Sequence, residues 1–361
     1  MAGGDNTLMN KSWTNLLPGP VDVKSNVDEA FKNTVVSHRS EEFIRDFFLL
    51  KDKLSGLVGS RFAQIFMGSG TMANDVIAAQ LKDLPGTGLI LSNGEFGDRL
   101  IEHAKSASIN FDHISFDWGD DFDYKYIDGI LRSKQSPSWI WAVNCETSTG
   151  VLNEIDDLLK LSRKYQSKLI LDCISSIGNI PLDLSQVYLA SGVSGKGFAS
   201  YSGLSMVFHN HEVQLNQQKI PRYLNLRLYA TLGIPFTLSS NLIYALNAAI
   251  DNYTSFSLFE IKHQNAIFVM NKLRGLGFDI VASKENSCNG VVTLRLPKGI
   301  GSRYIGDYLK KSGFETSYAS DYLLKRNWLQ ICTMGEVDLD EISNAIEILY
   351  SLYTKTKSLI G

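Results

Sequence analysis

Cysteine is scarce in this chain of 361 residues, four in all, and none of Cys145, Cys173, Cys288 and Cys332 shows the C-x-x-C spacing of a metal or redox pair. Three of the four lie in or at the ends of apolar runs, so the expectation is buried free thiols rather than a disulfide or metal ligands. An excess of one charge is also missing. The balance of 35 Lys and Arg against 38 Asp and Glu, net −3, gives no electrostatic case for nucleic acid or an anionic membrane as partner. No apolar run is long enough to span a bilayer, and the N-terminal MAGGDNTLMNKS lacks the apolar core of a signal peptide; the reading is a cytoplasmic protein. What is present, 44% hydrophobic and 20% charged residues over this length, suffices for one large core and a smaller one.

From residue 61 apolar runs alternate with helical patterns. Strands are expected at Phe62–Met67, Leu89–Ser92, Phe111–Phe116, Ser138–Val143 and Lys168–Asp172, with helices at Thr71–Leu81, Asp98–Ala107, Tyr124–Arg132 and Ile155–Tyr165 between them. Near-continuous apolar strands in this order predict a mostly parallel sheet covered by helices on both faces. Ahead of it, residues 1–30 read as an arm whose Leu17-Pro-Gly-Pro20 cannot be helix interior, and Ser40 can cap a helix through Phe43 to Leu57. Behind it, helices at Leu242–Ile250 and Leu258–Leu276 lead into a β-α-β-α order at Val291–Leu296, Tyr304–Ser312, Trp328–Thr333 and Leu339–Tyr353. The expected division is an arm over 1–30, a large domain over 31–254 and a small C-terminal domain over 255–361.

Ligands of such sheets bind beyond the carboxyl ends of the strands, and four of those ends carry unusual chemistry. Gly68-Ser-Gly-Thr71 is a glycine turn opening a helix, whose free N–H groups suit a phosphate. Asn93-Gly-Glu-Phe-Gly97 sets Phe96 among glycines, where a ring can stack on a planar ligand. Asn144-Cys-Glu-Thr-Ser-Thr-Gly150 is dense in hydroxyls, and Asp172 ends a buried strand with a carboxylate that needs a fixed cationic partner. Further on, Ser191-Gly-Val-Ser-Gly-Lys-Gly-Phe-Ala-Ser200 places Lys196 between two glycines and two short apolar runs. The missing side chains leave room for something flat, and an amine desolvated there loses basicity and can form a Schiff base. A phosphate cradle, a stacking aromatic, hydroxyl donors, a buried carboxylate and a glycine-flanked lysine are what pyridoxal 5′-phosphate (PLP) requires: the carboxylate keeps the pyridine nitrogen protonated and the lysine carries the aldehyde. No metal-ligand spacing or Ser/His/Asp signature competes for these positions.

In chain order Leu16-Leu-Pro-Gly-Pro20, Gly68-Ser-Gly-Thr71, Asn93-Gly-Glu-Phe-Gly97, Glu146-Thr-Ser-Thr-Gly150, Asp172-Cys-Ile-Ser-Ser-Ile-Gly178 with Pro181-Leu-Asp183, and the lysine segment resemble the class V aminotransferases of PLP fold type I. That group holds the alanine–glyoxylate, serine–pyruvate, 2-aminoethylphosphonate and phosphoserine aminotransferases. The resemblance covers nearly the whole chain. It implies an α/β fold, with a large domain built on a mostly parallel seven-stranded sheet and a smaller α/β C-terminal domain. It also implies a homodimer with active sites at the subunit interface, acting on a small-molecule amino donor and an oxo acceptor. Lys196 would hold the cofactor as a Schiff base and move the substrate proton; Asp172 would pair with the pyridine nitrogen, Phe96 stack on the ring and Thr147 reach the phenolic oxygen. Ser69, Gly70 and Thr71 would hold the phosphate, Ser194 would be a further cofactor contact, and Thr231 or Tyr229 would reach the phosphate of the other subunit.

Two departures from the family pattern stand out. Gly195 replaces the Gln or Asn often found before the lysine, and Gln330, in Leu329-Gln-Ile-Cys-Thr-Met-Gly-Glu336, occupies the place of the carboxylate-binding arginine. Glutamine supplies neither charge nor a bidentate fork, which implies atypical substrate recognition. His38 and Arg39, in a Ser-His-Arg-Ser segment resembling phosphoserine aminotransferases, are candidates to take an anion instead, with Arg222 and Arg326 as further ones. The same Schiff base also serves lyases and decarboxylases, the alternative reaction classes on this scaffold, and a non-catalytic binding protein would have no use for an intact Lys196 and Asp172.

Overall fold

Seven apolar stretches pair into one sheet in the computed structural model, which describes residues 13–132, 136–214, 219–253 and 257–360. They are β1 (Phe62–Met67), β2 (Gly88–Ser92), β3 (Phe111–Ser115), β4 (Trp139–Val143), β5 (Lys168–Asp172), β6 (Leu189–Val193) and β7 (Leu204–His209). Their order is β1-β7-β6-β5-β4-β2-β3. β7 runs antiparallel to both neighbours and the other pairs are parallel, so the sheet is mostly parallel, the expected arrangement. Side chains alternate between two cores: Ile140, Ala142, Leu169 and Leu171 face one, Trp139, Trp141, Val143 and Ile170 the other.

Helices cover both faces. In α1 (Glu41–Leu57) the Ser40 hydroxyl accepts from Phe43 N, and Phe43, Phe47, Leu50 and Leu54 bury one stripe at helical spacing. α2 (Gly70–Leu81) and α3 (Glu95–Ser106) follow β1 and β2 directly. α3 begins three residues before the expected Asp98 because the Glu146 carboxylate, from a distant loop, accepts from Phe96 N at 3.3 Å and Gly97 N at 2.9 Å. A side chain far away in sequence thus satisfies the orphan donors of the first turn, a capping that local sequence does not reveal.

A second, three-stranded antiparallel sheet holds β8 (Asp279–Ile280), β9 (Val291–Arg295) and β10 (Trp328–Cys332). Leu294 and Leu329 of this sheet pack with Val269 and Leu273 of α4 (Ser257–Gly275) and Ile346 and Leu349 of α5 (Leu339–Ile360) in a separate core. The arm is anchored there: Thr14–Leu16 pairs in parallel with Phe314–Thr316, and Leu16 joins the same core. Residues 1–12 of the arm and the expected division at 254/255 lie outside the described residues. Among the described residues no helix is long and apolar enough to cross a membrane.

The cysteine expectation holds for Cys173 and Cys332, free and buried, and fails for the other two. Cys145 and Cys288 form a disulfide with Cα atoms 6.0 Å apart across 143 residues of sequence. The pairing arises because the hairpin of Cys145–Glu146 and Val151–Leu152 lies against the segment entering β9, Cys288 N donating to Gly150 O at 2.7 Å. Only tertiary folding brings these segments together.

Candidate active site

β6 and β7 are joined by the loop that carries Lys196. A Cβ on Gly195 would stand 2.2 Å from Ser202 Oγ, and one on Gly197 2.3 Å from Ile177 O, so the loop closes only with glycine at both places. Lys196 Nζ donates to Ser175 Oγ at 2.9 Å and stands 5.2 Å from the centre of the Phe96 ring. It opens on a cavity of about 350 Å³ and is enclosed by protein on its other sides. Burial lowers the pKa of this amine, with the Asp172 carboxylate pulling the other way. A lysine so placed loses its proton more readily and becomes nucleophilic.

The opposite wall is built from strand ends. Ser69, Gly70 and Thr71 line the cavity where β1 passes into α2, and a Cβ on Gly70 would come within 2.7 Å of Ile174 Cδ1. Asp172, at the end of β5, accepts from Asn74 Nδ2 at 2.8 Å and from Ile174 N at 2.9 Å. Its pKa is raised by burial, against which these hydrogen bonds work, and among the described residues it has no ion-pair partner. α3 contributes Phe96, Arg99 and His103 to the lining, and Gly19 and Pro20 of the arm close the cavity against Lys196. These features fit PLP: a cradle that a Cβ would fill, an enclosed amine, a buried carboxylate held in no salt bridge among the described residues, and Asn74 Oδ1 buried without a partner.

The other expected residues are placed as follows. Thr147 is buried outside the lining and reaches Lys196 through Ser175, the two hydroxyls bonding each other. Ser194 spends its hydroxyl within the loop, on Tyr201 O and Leu204 O at 2.6 and 3.2 Å, and does not line the cavity. Gln330, fully buried on β10, donates from Nε2 to Thr147 O at 2.6 Å, Thr293 Oγ1 at 2.9 Å and Ser148 O at 3.2 Å, leaving Oε1 without a partner. Its N–H groups are therefore not turned to a substrate. His38 and Arg39 line a different cavity, of about 620 Å³, with Phe48, Tyr223, Leu232 and Phe236. Thr231 is exposed on the helix Leu226–Leu232, outside the Lys196 cavity of its own chain. Arg326 stacks at 3.4 Å on Trp118, and Arg222 lies 5.7 Å from the Phe236 ring; neither lines the Lys196 cavity.

The profile of the family described as Aminotransferase class-V matches residues 22–224, more than half of the chain. The chain belongs to the class-V aminotransferases. Its relatives include a 2-aminoethylphosphonate–pyruvate transaminase of Bacteroides fragilis, 23% identical over 359 residues that cover 94% of this chain and 98% of that one. An aminotransferase of Methanocaldococcus jannaschii is 25% identical over 303 residues, 79% of this chain and 78% of its own. An alanine–glyoxylate aminotransferase from Nostoc sp. superposes with a TM-score of 0.87 at 22% identity, over 97% of this chain and 99% of that one. A phosphoserine aminotransferase from Cytophaga hutchinsonii gives 0.73 at 15% identity, over 97% and 100%. The family and its fold are PLP-dependent, and this chain is a PLP-dependent enzyme of the group.

Four residues of this class-V aminotransferase that chain-local patterns did not single out complete the site. Ser175 links Lys196 to Thr147, Asn74 orients Asp172, and Arg99 lines the cavity. Glu146 accepts from Phe96 N, Gly97 N, Ser148 N and Ser148 Oγ, binding two loops together. A signal for Arg99 was available, since it follows Phe96 by three residues and a helix begun at Glu95 sets both on one face.

Proposed function

We propose that this enzyme transfers an amino group from a small amino donor to an oxo acceptor, with PLP seated in the Lys196 cavity and carried by Lys196. The observation behind the reading is the placement of an enclosed amine, Lys196, in one cavity with a buried carboxylate, Asp172, neither held in a salt bridge among the described residues. In this reading Ser69, Gly70 and Thr71 hold the phosphate, Phe96 covers the ring and Asp172 faces the pyridine nitrogen. When bound, the cofactor supplies an electron sink for the substrate carbon that gives up its proton. The chain does the rest. Lys196, its proton affinity reduced by burial, takes that proton at Nζ and delivers it to the neighbouring carbon, while Ser175 and Thr147 fix where Nζ points. Phe96 and the Gly19-Pro20 segment keep water from the reacting atoms.

The names of relatives, which pair an aminoalkylphosphonate with pyruvate, support a small primary amine as donor and a small 2-oxo acid as acceptor. Gln330 in this reading is a brace for Thr147 and Ser148 rather than a substrate receptor, so selectivity is set elsewhere. The exposed Phe48, Tyr223 and Leu232 around the His38–Arg39 cavity support a homodimer seam that turns His38, Arg39 and Thr231 toward the partner's site. Borohydride reduction of the PLP-loaded protein and peptide mass spectrometry should leave the cofactor mass on Lys196; a label elsewhere, or none, would falsify the assignment. Added donor should convert pyridoxal to pyridoxamine absorbance. Ammonia and a keto acid released with pyridoxal absorbance retained would make the enzyme a lyase.

A further inference from the structure

We propose that Arg99 is the receptor for the substrate's anionic group, so that the site selects donors and acceptors with an oxyanion, carboxylate or phosphonate, near the reacting carbon. This deepens the transaminase reading and rests on it. Phe96, Arg99 and His103 stand three and four residues apart on α3 and line the cavity together. The Arg99 guanidinium carbon is 4.9 Å from the centre of the Phe96 ring, and Lys196 Nζ is 5.2 Å from that same centre. Both groups thus approach one ring and line the same cavity.

The guanidinium is also free to bind. Among the described residues its protein partner is Glu95 on the same helix, where one oxygen, Oε1, takes Nε at 2.9 Å and Nη2 at 2.8 Å, and the outer N–H edge has no acceptor there. The side chain is 46% exposed, and an ion pair that open to solvent holds its partners weakly. An incoming carboxylate or phosphonate can take the planar fork through two parallel bonds. Within this chain's own cavity the other cations are less available: His103 is held by Asp75 at 2.6 Å, and Arg39 and Arg326 of the same chain lie outside the lining. Among the described residues Arg99 is the one arginine that lines the Lys196 cavity.

The test compares wild-type, Arg99→Gln and Arg99→Lys holoenzymes. Single-turnover absorbance with L-alanine, 2-aminoethylphosphonate and n-propylamine gives an apparent dissociation constant for each donor. Propionate and methylphosphonate, which carry no amine, are titrated against the cofactor spectrum. The expected result is at least a tenfold weakening of the oxyanion ligands in Arg99→Gln, a smaller one in Arg99→Lys, and n-propylamine unchanged. Whether the carboxylate or the phosphonate pair suffers more identifies the natural anion. Equal effects on charged and uncharged donors, or weakened PLP retention with unaltered ligand preference, overturn the proposal, as does wild-type protein that binds neither propionate nor methylphosphonate. Those two ligands need no turnover. If they bind through Arg99 while no donor yields pyridoxamine, it is the transaminase reading that fails.

Discussion

Glu146 and Gln330 show how much of this site is held by side chains that do not face it. Glu146 is wholly buried, and its carboxylate stays there because backbone and hydroxyl donors from two loops converge on it; burial still raises its pKa against those bonds. Gln330 does the same work with reversed polarity, donating to the carbonyls of Thr147 and Ser148. Truncating it leaves buried carbonyls unpaired, at a cost of about 1–3 kcal/mol. Gln330→Ala is therefore expected to lower urea stability by that amount and to reduce kcat as Thr147 and Ser175 shift. The ratio of apparent affinities for L-alanine and n-propylamine should stay constant; a changed ratio would return position 330 to substrate recognition. Sequence could locate Gln330 but not this role, which depends on the direction its amide takes across a fold assembled from distant segments. Lys196, Asp172 and Phe96 were legible because their signals are local: flanking glycines, a carboxylate ending an apolar strand, a ring in a glycine turn.

Among the elements, β2 and β4 were legible nearly to the residue, because both are buried at every position and so read as near-continuous apolar runs, whereas β3, at the sheet's edge, carries exposed Asp112 and His113 and is apolar only in part. α4 was equally plain as a helix, yet its part in the site was not. Lys262, on its buried face, donates to Gly197 O at 2.6 Å and Met334 O at 2.8 Å, tying the residue after Lys196 to the loop that follows β10. Burial brings this lysine down from 10.5 to about 7. The unfolded chain binds its proton up to pH 10.5 and the folded chain only to about 7. Between those values the unfolded state holds more protons, so the lysine makes stability rise with pH across that window. Lys262→Met should lack that rise. Relative to wild type its stability should fall between pH 7 and pH 10, by about 1.4 kcal/mol per pH unit where the two states of the wild-type lysine differ by a full proton. Urea titrations of both proteins at several pH values would read the difference, and a deficit independent of pH would mean that the amine does not titrate in this range.

At the scale of the molecule, two cores must be kept in register for Lys196 and β10 to face each other. Gln330, Lys262 and the Cys145–Cys288 disulfide all bridge the large-domain loops and the C-terminal part. The covalent bridge is set apart by its reach. It closes 143 residues of chain and joins the loop carrying Glu146 and Thr147 to the segment entering β9. Restricting so long a loop in the unfolded chain is worth about 2–4 kcal/mol in typical cases. Cys288→Ser is accordingly expected to lose stability of that order in urea without reductant. Wild-type protein should fall to the same level in dithiothreitol, whereas the variant should not respond to it. Thiol counting on denatured wild-type protein should find Cys173 and Cys332 alone reactive before reduction and all four cysteines afterwards. Four reactive thiols before reduction would restore the free-thiol reading, and the alignment of the two cores would then rest on Gln330 and Lys262.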